Sequence, residues 1–282
     1  MPELPEVETI RLFLHQKLIG KEIIKADILV PKMFHGDPKE LKKAVITDTD
    51  RKGKVFTLIL KNDGKKQYLS FHLKLSGQIL YAPDNNHAEF PHKIPLANSR
   101  QMPAKTTRMV FYFSDNSALY FNDLRKFGWA KLSHTPQYPT GVDALSKDFT
   151  EQYVLTTLTG TKRPIKTVLL DQTLISGIGN IYANDALWEA GIHPKRPTHT
   201  LTYSELKALY LAIKKTISMG LTYKGSSAKD ELYVLPDSTS GQYQHHFKTY
   251  HQHGKKCHRC GTVIQKIKLG GRGTFFCPIC QQ

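Results

Sequence analysis

Four cysteines constrain this chain more than any other feature. They stand as Cys257-x2-Cys260 and Cys277-x2-Cys280, with sixteen residues between the pairs and no cysteine elsewhere. This is four-thiolate zinc spacing. Two disulfides are the competing account, which a reducing compartment disfavours, so one structural zinc per chain is the expectation. Turn formers accompany the pairs at Gly261 and Pro278, and residues 262–267 and 274–276 flank the run Gly270-Gly271-Arg272-Gly273. That pattern predicts a β-hairpin finger with a glycine-rich tip. Four thiolates fill a tetrahedral shell, so the nearby His245, His246, His251, His253 and His258 are read as surface or phosphate-facing groups.

The charge around this finger is one-sided. Residues 241–282 carry seven Lys or Arg and no Asp or Glu, within a chain whose formal net charge is +16 and whose pI is about 9.6. Such an excess points to a polyanion partner, nucleic acid first, with a merely solvated basic face as the plain alternative. Apolar residues at 40% and charged residues at 23% are ordinary globular proportions, and no run approaches the roughly 18 apolar residues of a membrane span. Disorder and membrane insertion are excluded as classes. The start, Met1-Pro2-Glu3-Leu4-Pro5-Glu6, lacks the charged-then-apolar pattern of a secretory signal, so a cytoplasmic protein is expected.

At 282 residues the chain suits about two domains of roughly 150 residues. Apolar positions at Val7, Ile10, Leu14 and Leu18 predict an amphipathic helix over 5–19, with Gly20 as terminator. The β-type runs 55–60, 68–73, 109–113 and 118–121, joined by turn signals, predict an antiparallel sandwich or barrel over 1–132. Residues 83–107 read as a long surface insertion and 133–149 as a linker. Helical periodicity follows at 150–159, 164–170, 179–190 and 203–219, the last with a Thr202/Glu205 capping box and Gly220 as C-cap. Residues 224–244 have no strong period and read as a mobile loop. The fold class is α+β and multidomain: an N-terminal helix plus β-sandwich (1–132), a helical part (150–244) and a four-cysteine finger (245–282).

Chemistry centres on the N-terminus. Once Met1 is removed, Pro2 presents a secondary amine able to attack an electrophilic sugar carbon and form an iminium. Glu3 and Glu6 lie within reach in sequence, and a carboxylic acid there could move the proton that sugar-ring opening requires. Acidic residues in a first helical turn also serve the helix dipole without further role.

The joint pattern decides between these readings. The runs from Pro2 to Thr9, from Asn122 to Gly128, from Ser176 to Tyr182 and from Gly271 to Gln281 resemble the bacterial formamidopyrimidine-DNA glycosylases over nearly the whole chain, least in 83–107. The resemblance implies a bifunctional base-excision-repair DNA glycosylase/AP lyase for oxidised purines, working on double-stranded DNA as a monomer in the bacterial cytoplasm, associated with the nucleoid. It also implies a helix-two-turn-helix in the helical part and a lesion-recognition role for 224–244. By position, Pro2 is the nucleophile, Glu3 the general acid supported by Glu6, Lys54 a hairpin lysine near the lesion, and Arg272 a phosphate grip that assists strand cleavage. Asn180, at a helix N-terminus, would bind phosphate, and Arg108, Lys162 and Tyr250 would touch DNA. Leu75, Arg125 and Phe127 would fill the void left by the extruded base. The family has Met where Leu75 stands and usually His where Thr106 stands. Rival readings are an endonuclease VIII-like enzyme for oxidised pyrimidines and a non-catalytic zinc-ribbon DNA-binding protein.

Overall fold

Fifteen residues with apolar side chains every third or fourth position make the first element. In α1 (Leu4–Leu18) the residues Leu4, Val7, Ile10, Leu14 and Leu18 are fully buried, one continuous stripe as the spacing predicts. Gly20, at φ +82°, then turns the chain out of the helix. The structure, a computed structural model, describes residues 1–228 and 232–282. These form two compact units: Met1–Tyr138 with Tyr223–Gln244, and Pro139–Thr222 with His245–Gln282.

In the first unit α1 packs on a sandwich built from β1 (Ile23–Ile28), β2 (Phe34–His35), β3 (Val45–Lys52), β4 (Val55–Asn62), β5 (Lys65–His72), β6 (Gly77–Ala82), β7 (Glu89–Ile94), β8 (Ser99–Gln101), β9 (Thr107–Phe113), β10 (Ala118–Asp123) and β11 (Trp129–Ser133). One sheet has the order β1-β9-β10-β6, the other β2-β11-β5-β4-β3. All their pairings are antiparallel except β2 with β11. Strand alternation sends Ile79, Met109, Phe111, Leu119 and Phe121 into the shared core, where Phe71 stacks on Phe56 at 4.7 Å and meets Phe111 edge-on at 5.7 Å. Each such ring contributes about 1.5–3 kcal/mol by leaving water.

The alternate residues of the four-stranded sheet, Leu80, Val110, Ala118 and Tyr120, are also buried. Their cover is residues 83–107, a surface insertion as expected, which also carries a hairpin of its own. β7 pairs with β8, and Phe90, Ile94 and Met102 close a second core over the outer sheet face. Few apolar residues are needed for this because the sheet supplies the rest.

Residues 232–238 complete the first unit. The free edge of β6 is covered: Gln78 Nε2 donates to the Leu232 carbonyl at 2.7 Å and Tyr81 N to the Pro236 carbonyl at 2.8 Å. Tyr233 and Leu235 enter the inner core and Val234 the outer one, the period of a strand. The sequence reading as a mobile loop therefore does not hold for 232–238, while residues 229–231 of that reading lie outside the described residues. An edge strand left bare is a pairing hazard, and this segment removes it.

The second unit contains α2 (Glu151–Thr159), α3 (Ile165–Leu169), α4 (Asn180–Ala190) and α5 (Tyr203–Thr222). The 133–149 linker is partly ordered, since β12 (Val142–Asp143) pairs in parallel with β13 (Ile175–Ser176). The Thr202/Glu205 box forms as expected, with Thr202 N donating to Glu205 Oε2 at 2.8 Å. Gly220 is not the C-cap. α5 runs on to Thr222, and a Cβ at Gly220 would lie 2.5 Å from the Tyr182 ring, so glycine here permits close approach of α4 and α5. The finger is a hairpin of β14 (Gln265–Leu269) and β15 (Arg272–Phe276). Its two-residue tip, Gly270-Gly271, has φ of +56° and +73°, as a turn that follows the strand twist requires. Among the described residues no helix is long and apolar enough to cross a membrane.

Candidate functional site

Two prolines shape the start of α1. Pro5 sits in the first helical turn, where its missing N–H costs nothing, and Glu3 is the N-cap. Glu3 and Glu6 form a reciprocal capping box: the Glu3 side chain accepts from the Glu6 backbone, and Glu6 Oε2 accepts from Glu3 N at 2.8 Å. Pro2, Glu3 and Glu6 are all buried. Glu6 has a second duty, because its Oε1 accepts from Ser226 N at 2.8 Å. Tyr233, fully buried, has its hydroxyl pushed well above the ordinary value by burial and by the Glu6 charge. The two carboxylates thus cap the start of α1, and Glu6 also holds the Ser226 backbone.

Lys54 begins the strand side of the β3–β4 turn and is buried. Next to it, His72 pairs with Val55 and its Nδ1 accepts from Lys74 N at 2.9 Å. Burial, and then the charges of Lys74 and Lys54, push this imidazole down to about 3, so it is neutral. The turn is tied to α1 by residues that sequence reasoning missed. Arg51 Nε donates to Glu8 Oε2 at 2.8 Å, Arg51 Nη1 donates to the Gly53 carbonyl at 3.1 Å, and Arg11 Nη2 reaches Glu8 Oε1 at 2.6 Å. Burial acts to raise the Glu8 carboxyl, but the hydrogen bonds and charges of Arg11 and Arg51 outweigh it and hold it below the usual range. A glutamate on the buried side of an amphipathic helix is the sequence signal for this pair.

Leu75, Arg125 and Phe127 stand on two loops that one buried carboxylate joins. Asp123 Oδ1 accepts from Arg125 N at 3.0 Å and from the Ser76 hydroxyl, and Oδ2 accepts from Gly128 N at 2.7 Å. Leu75 is half-buried, whereas Arg125 and Phe127 are exposed: Phe127 is 55% accessible and the Arg125 guanidinium lies 5.0 Å from its ring centre. Arg108, predicted at DNA, directs Nε to the Asp123 carbonyl at 2.8 Å and Nη1 to the Lys105 carbonyl at 2.9 Å, holding the base of the same loop. Thr106 is buried and its carbonyl accepts from Asp123 N.

In the second unit, Asn180 opens α4 after Gly179 and its Nδ2 donates to the Gly273 carbonyl at 3.0 Å. Asn184 Oδ1 accepts from Phe275 N at 2.8 Å. Asp185 accepts from three successive backbone N–H groups, Lys248, Thr249 and Tyr250, at 2.9–3.1 Å. Tyr250 itself packs edge-on against Phe247 and Phe275, with 6% of its surface accessible. Arg272, directly after the hairpin tip, and Lys162, two residues before Pro164, are exposed.

The four cysteine sulfurs lie within 4.8 Å of one another. Cys257 to Cys280 is 3.9 Å and Cys260 to Cys277 is 3.5 Å, close to the about 3.8 Å edge of a tetrahedron with 2.3 Å bonds and far from a 2.05 Å disulfide. Trp188 Nε1, Arg259 N and Cys280 N point at these sulfurs, as donors around thiolates do. The donor set fits a structural metal.

Three models of known domains match along the chain. Residues 1–130 match the formamidopyrimidine-DNA glycosylase N-terminal domain, 140–231 the formamidopyrimidine-DNA glycosylase H2TH domain, and 254–282 a zinc finger found in FPG and IleRS. The chain is 35% identical to the formamidopyrimidine-DNA glycosylase of Streptococcus pneumoniae over 293 residues, covering 100% of this chain and 99% of that one. The MutM (Fpg) protein of Thermus thermophilus is similar at a TM-score of 0.86 and 31% identity, covering 99% of this chain and 98% of the other. A Lactococcus lactis Fpg mutant solved with Fapy-dG containing DNA gives 0.85 and 32%, with both chains wholly covered. The chain belongs to the formamidopyrimidine-DNA glycosylase family.

Proposed function

We propose that this chain is a base-excision-repair DNA glycosylase/AP lyase that removes oxidised purines, 8-oxoguanine and formamidopyrimidines, from double-stranded DNA. The observation that carries this is the Pro2, Glu3 and Glu6 arrangement at the start of α1. The freed Pro2 nitrogen attacks C1′ of the extruded nucleotide, the C1′–N bond to the base breaks, and the base leaves with the bonding pair and takes up the proton that the Pro2 nitrogen gives up. Glu3 gives a proton to the ring oxygen as the sugar opens, leaving an iminium between Pro2 and C1′. Loss of a proton from C2′ then expels the 3′-phosphate, and a second elimination expels the 5′-phosphate. Glu6 holds the Glu3 backbone through this sequence.

In this reading residues 1–132 carry the chemistry, the helical part from 150 and the finger from 245 grip DNA, and 224–244 faces the lesion. Lys54, Arg108, Lys162, Asn180, Tyr250 and Arg272 contact the sugar-phosphate backbone or hold groups that do. Leu75, Arg125 and Phe127 fill the gap in the stack. A zinc ion held by Cys257, Cys260, Cys277 and Cys280 supplies the cross-link that a finger without its own core needs. The protein acts as a monomer in the bacterial cytoplasm, on nucleoid DNA.

Borohydride reduction during reaction with 8-oxoguanine duplex tests the assignment: covalent protein–DNA adduct is expected, and blocking the amine by a residue before Pro2 should abolish it while binding persists. Undiminished trapping by the blocked protein overturns it. Faster excision of thymine glycol than of 8-oxoguanine would favour the pyrimidine-directed reading.

A further inference from the structure

Lys166, in α3, is fully buried, and the chemistry above makes no use of it. A buried ammonium is costly unless its donors are taken up. Lys166 Nζ donates to the Gly273 carbonyl at 2.9 Å and to Thr274 Oγ1 at 2.7 Å. Thr274 Oγ1 in turn donates to the Arg272 carbonyl at 3.3 Å. Asn180 Nδ2 takes the same Gly273 carbonyl from α4. Beside Lys166, Thr167 comes so close to the hairpin tip that a Cβ on Gly270 would lie 3.1 Å from its methyl group. α3 therefore cradles the finger tip, and a hydrogen-bonded chain runs from a buried cation through one hydroxyl to the backbone of Arg272.

We propose that Lys166 is a positioning residue for Arg272, acting through Thr274. Arg272 is an exposed side chain at the first residue of β15, directly after the glycine turn and opposite Leu269 at the end of the hairpin ladder. The charge on Nζ polarises the Thr274 hydroxyl, strengthens its bond to the Arg272 carbonyl, and sets the backbone from which the guanidinium projects. Placement matters because a shift of about 1 Å in a group that meets charge can cost on the order of a hundredfold in rate. This rests on the reading of Arg272 as the phosphate grip.

The test is a double-mutant cycle in the full-length, zinc-loaded chain. Lys166→Met, Thr274→Val and Thr274→Ser are each made alone and with Arg272→Ala. The readouts are affinity for a duplex containing a tetrahydrofuran abasic analogue, strand-cleavage rate on an abasic-site duplex, and zinc per chain. With Arg272 present, Lys166→Met and Thr274→Val should weaken binding and cleavage roughly tenfold or more, and Thr274→Ser should restore most of the loss. In the Arg272→Ala background the same changes should cost less than about twofold, with zinc content unchanged throughout. Equal losses in both backgrounds, or no loss in Thr274→Val, overturn the proposal. Should Lys166→Met fail to fold, the Thr274→Val and Thr274→Ser pair decides alone, since it leaves the bond to Gly273 in place. If Arg272→Ala by itself changes neither binding nor cleavage, the phosphate-grip reading fails, and this one with it.

Discussion

Glu6 and Ser226 stand 220 positions apart in sequence and are joined by a 2.8 Å hydrogen bond from the Ser226 N–H to Glu6 Oε1. The other Glu6 oxygen takes the N–H of Glu3. A single carboxylate thus ties the start of α1 to the turn at 225–226, and whatever moves that turn is felt at Glu3.

Gly225 is where this link is most easily broken. Its φ is +78°, and a Cβ there would lie 2.7 Å from Glu6 Cγ and 2.8 Å from Oε1. Gly225→Ala should cost about 1–2 kcal/mol in stability from the left-handed backbone alone. It should also slow single-turnover excision about tenfold or more by displacing Glu6, with a smaller change in DNA affinity. Excision at the wild-type rate would show that Glu6 does not set the geometry of Glu3.

Arg125 should read the base opposite the lesion. A guanidinium offers donors only, which suits the acceptors of cytosine better than the donor edge of adenine. Because Asp123 anchors the loop through the backbone N–H of Arg125 and Gly128, Arg125→Ala removes the side chain and leaves the loop in place. Excision of 8-oxoguanine opposite cytosine should fall relative to that opposite adenine by about 1–3 kcal/mol of discrimination. An unchanged ratio would mean that Arg125 only props the duplex.

Metal and DNA grip should be lost together. Cys277→Ser, or prolonged chelation, should release one zinc per chain and weaken duplex binding, because the finger's folding free energy is largely its metal-binding free energy. Affinity of the intact protein should also fall steeply with salt, as release of counterions from phosphate requires. Full activity in protein that metal analysis finds free of zinc would sink this.

His72 gives a pH signature. Its folded value is lowered from 6.5 to about 3, so between those values the unfolded chain binds a proton that the folded one does not. Stability should therefore fall as pH drops below 6.5, with a slope of up to about 1.4 kcal/mol per pH unit from this group. His72→Asn keeps an acceptor for Lys74 N and cannot titrate, so urea unfolding between about pH 6.5 and 5, above the carboxylate range, should lose that slope. An identical slope in the variant would refute the assignment.

Much of this was legible in the sequence because it is local. The α1 stripe, the cysteine spacing, the Thr202/Glu205 box and the Gly270-Gly271 tip each follow from residues a few positions apart. What escaped depends on distant pairing. Residues 83–107 look polar because the sheet under them supplies most of the apolar surface they cover. The run Leu232-Tyr233-Val234-Leu235 is a strand signal, but four residues beside glycines and serines are too short to outweigh their surroundings. Asp185 and Lys166 are buried ionisable residues whose backbone partners lie far along the chain, Asp123 takes the distant Ser76 hydroxyl, and no periodicity reveals them. Gly220 shows the converse, a helix terminator by rule that serves close helix packing in fact.

The contribution of Tyr233 and Leu235 to the first core also sets an order of events during synthesis. A ribosome that has released residues 1–138 has made eleven strands and α1, yet neither the side chains that finish their core nor the backbone that shields β6. The whole helical segment to Thr222 must emerge before those residues follow. The nascent sandwich therefore waits, incomplete and with one sticky margin, for about a hundred further residues, roughly 5–20 s at ordinary elongation rates. A gene truncated before codon 232 would encode every proposed catalytic group of the first unit and still yield a product inclined to aggregate.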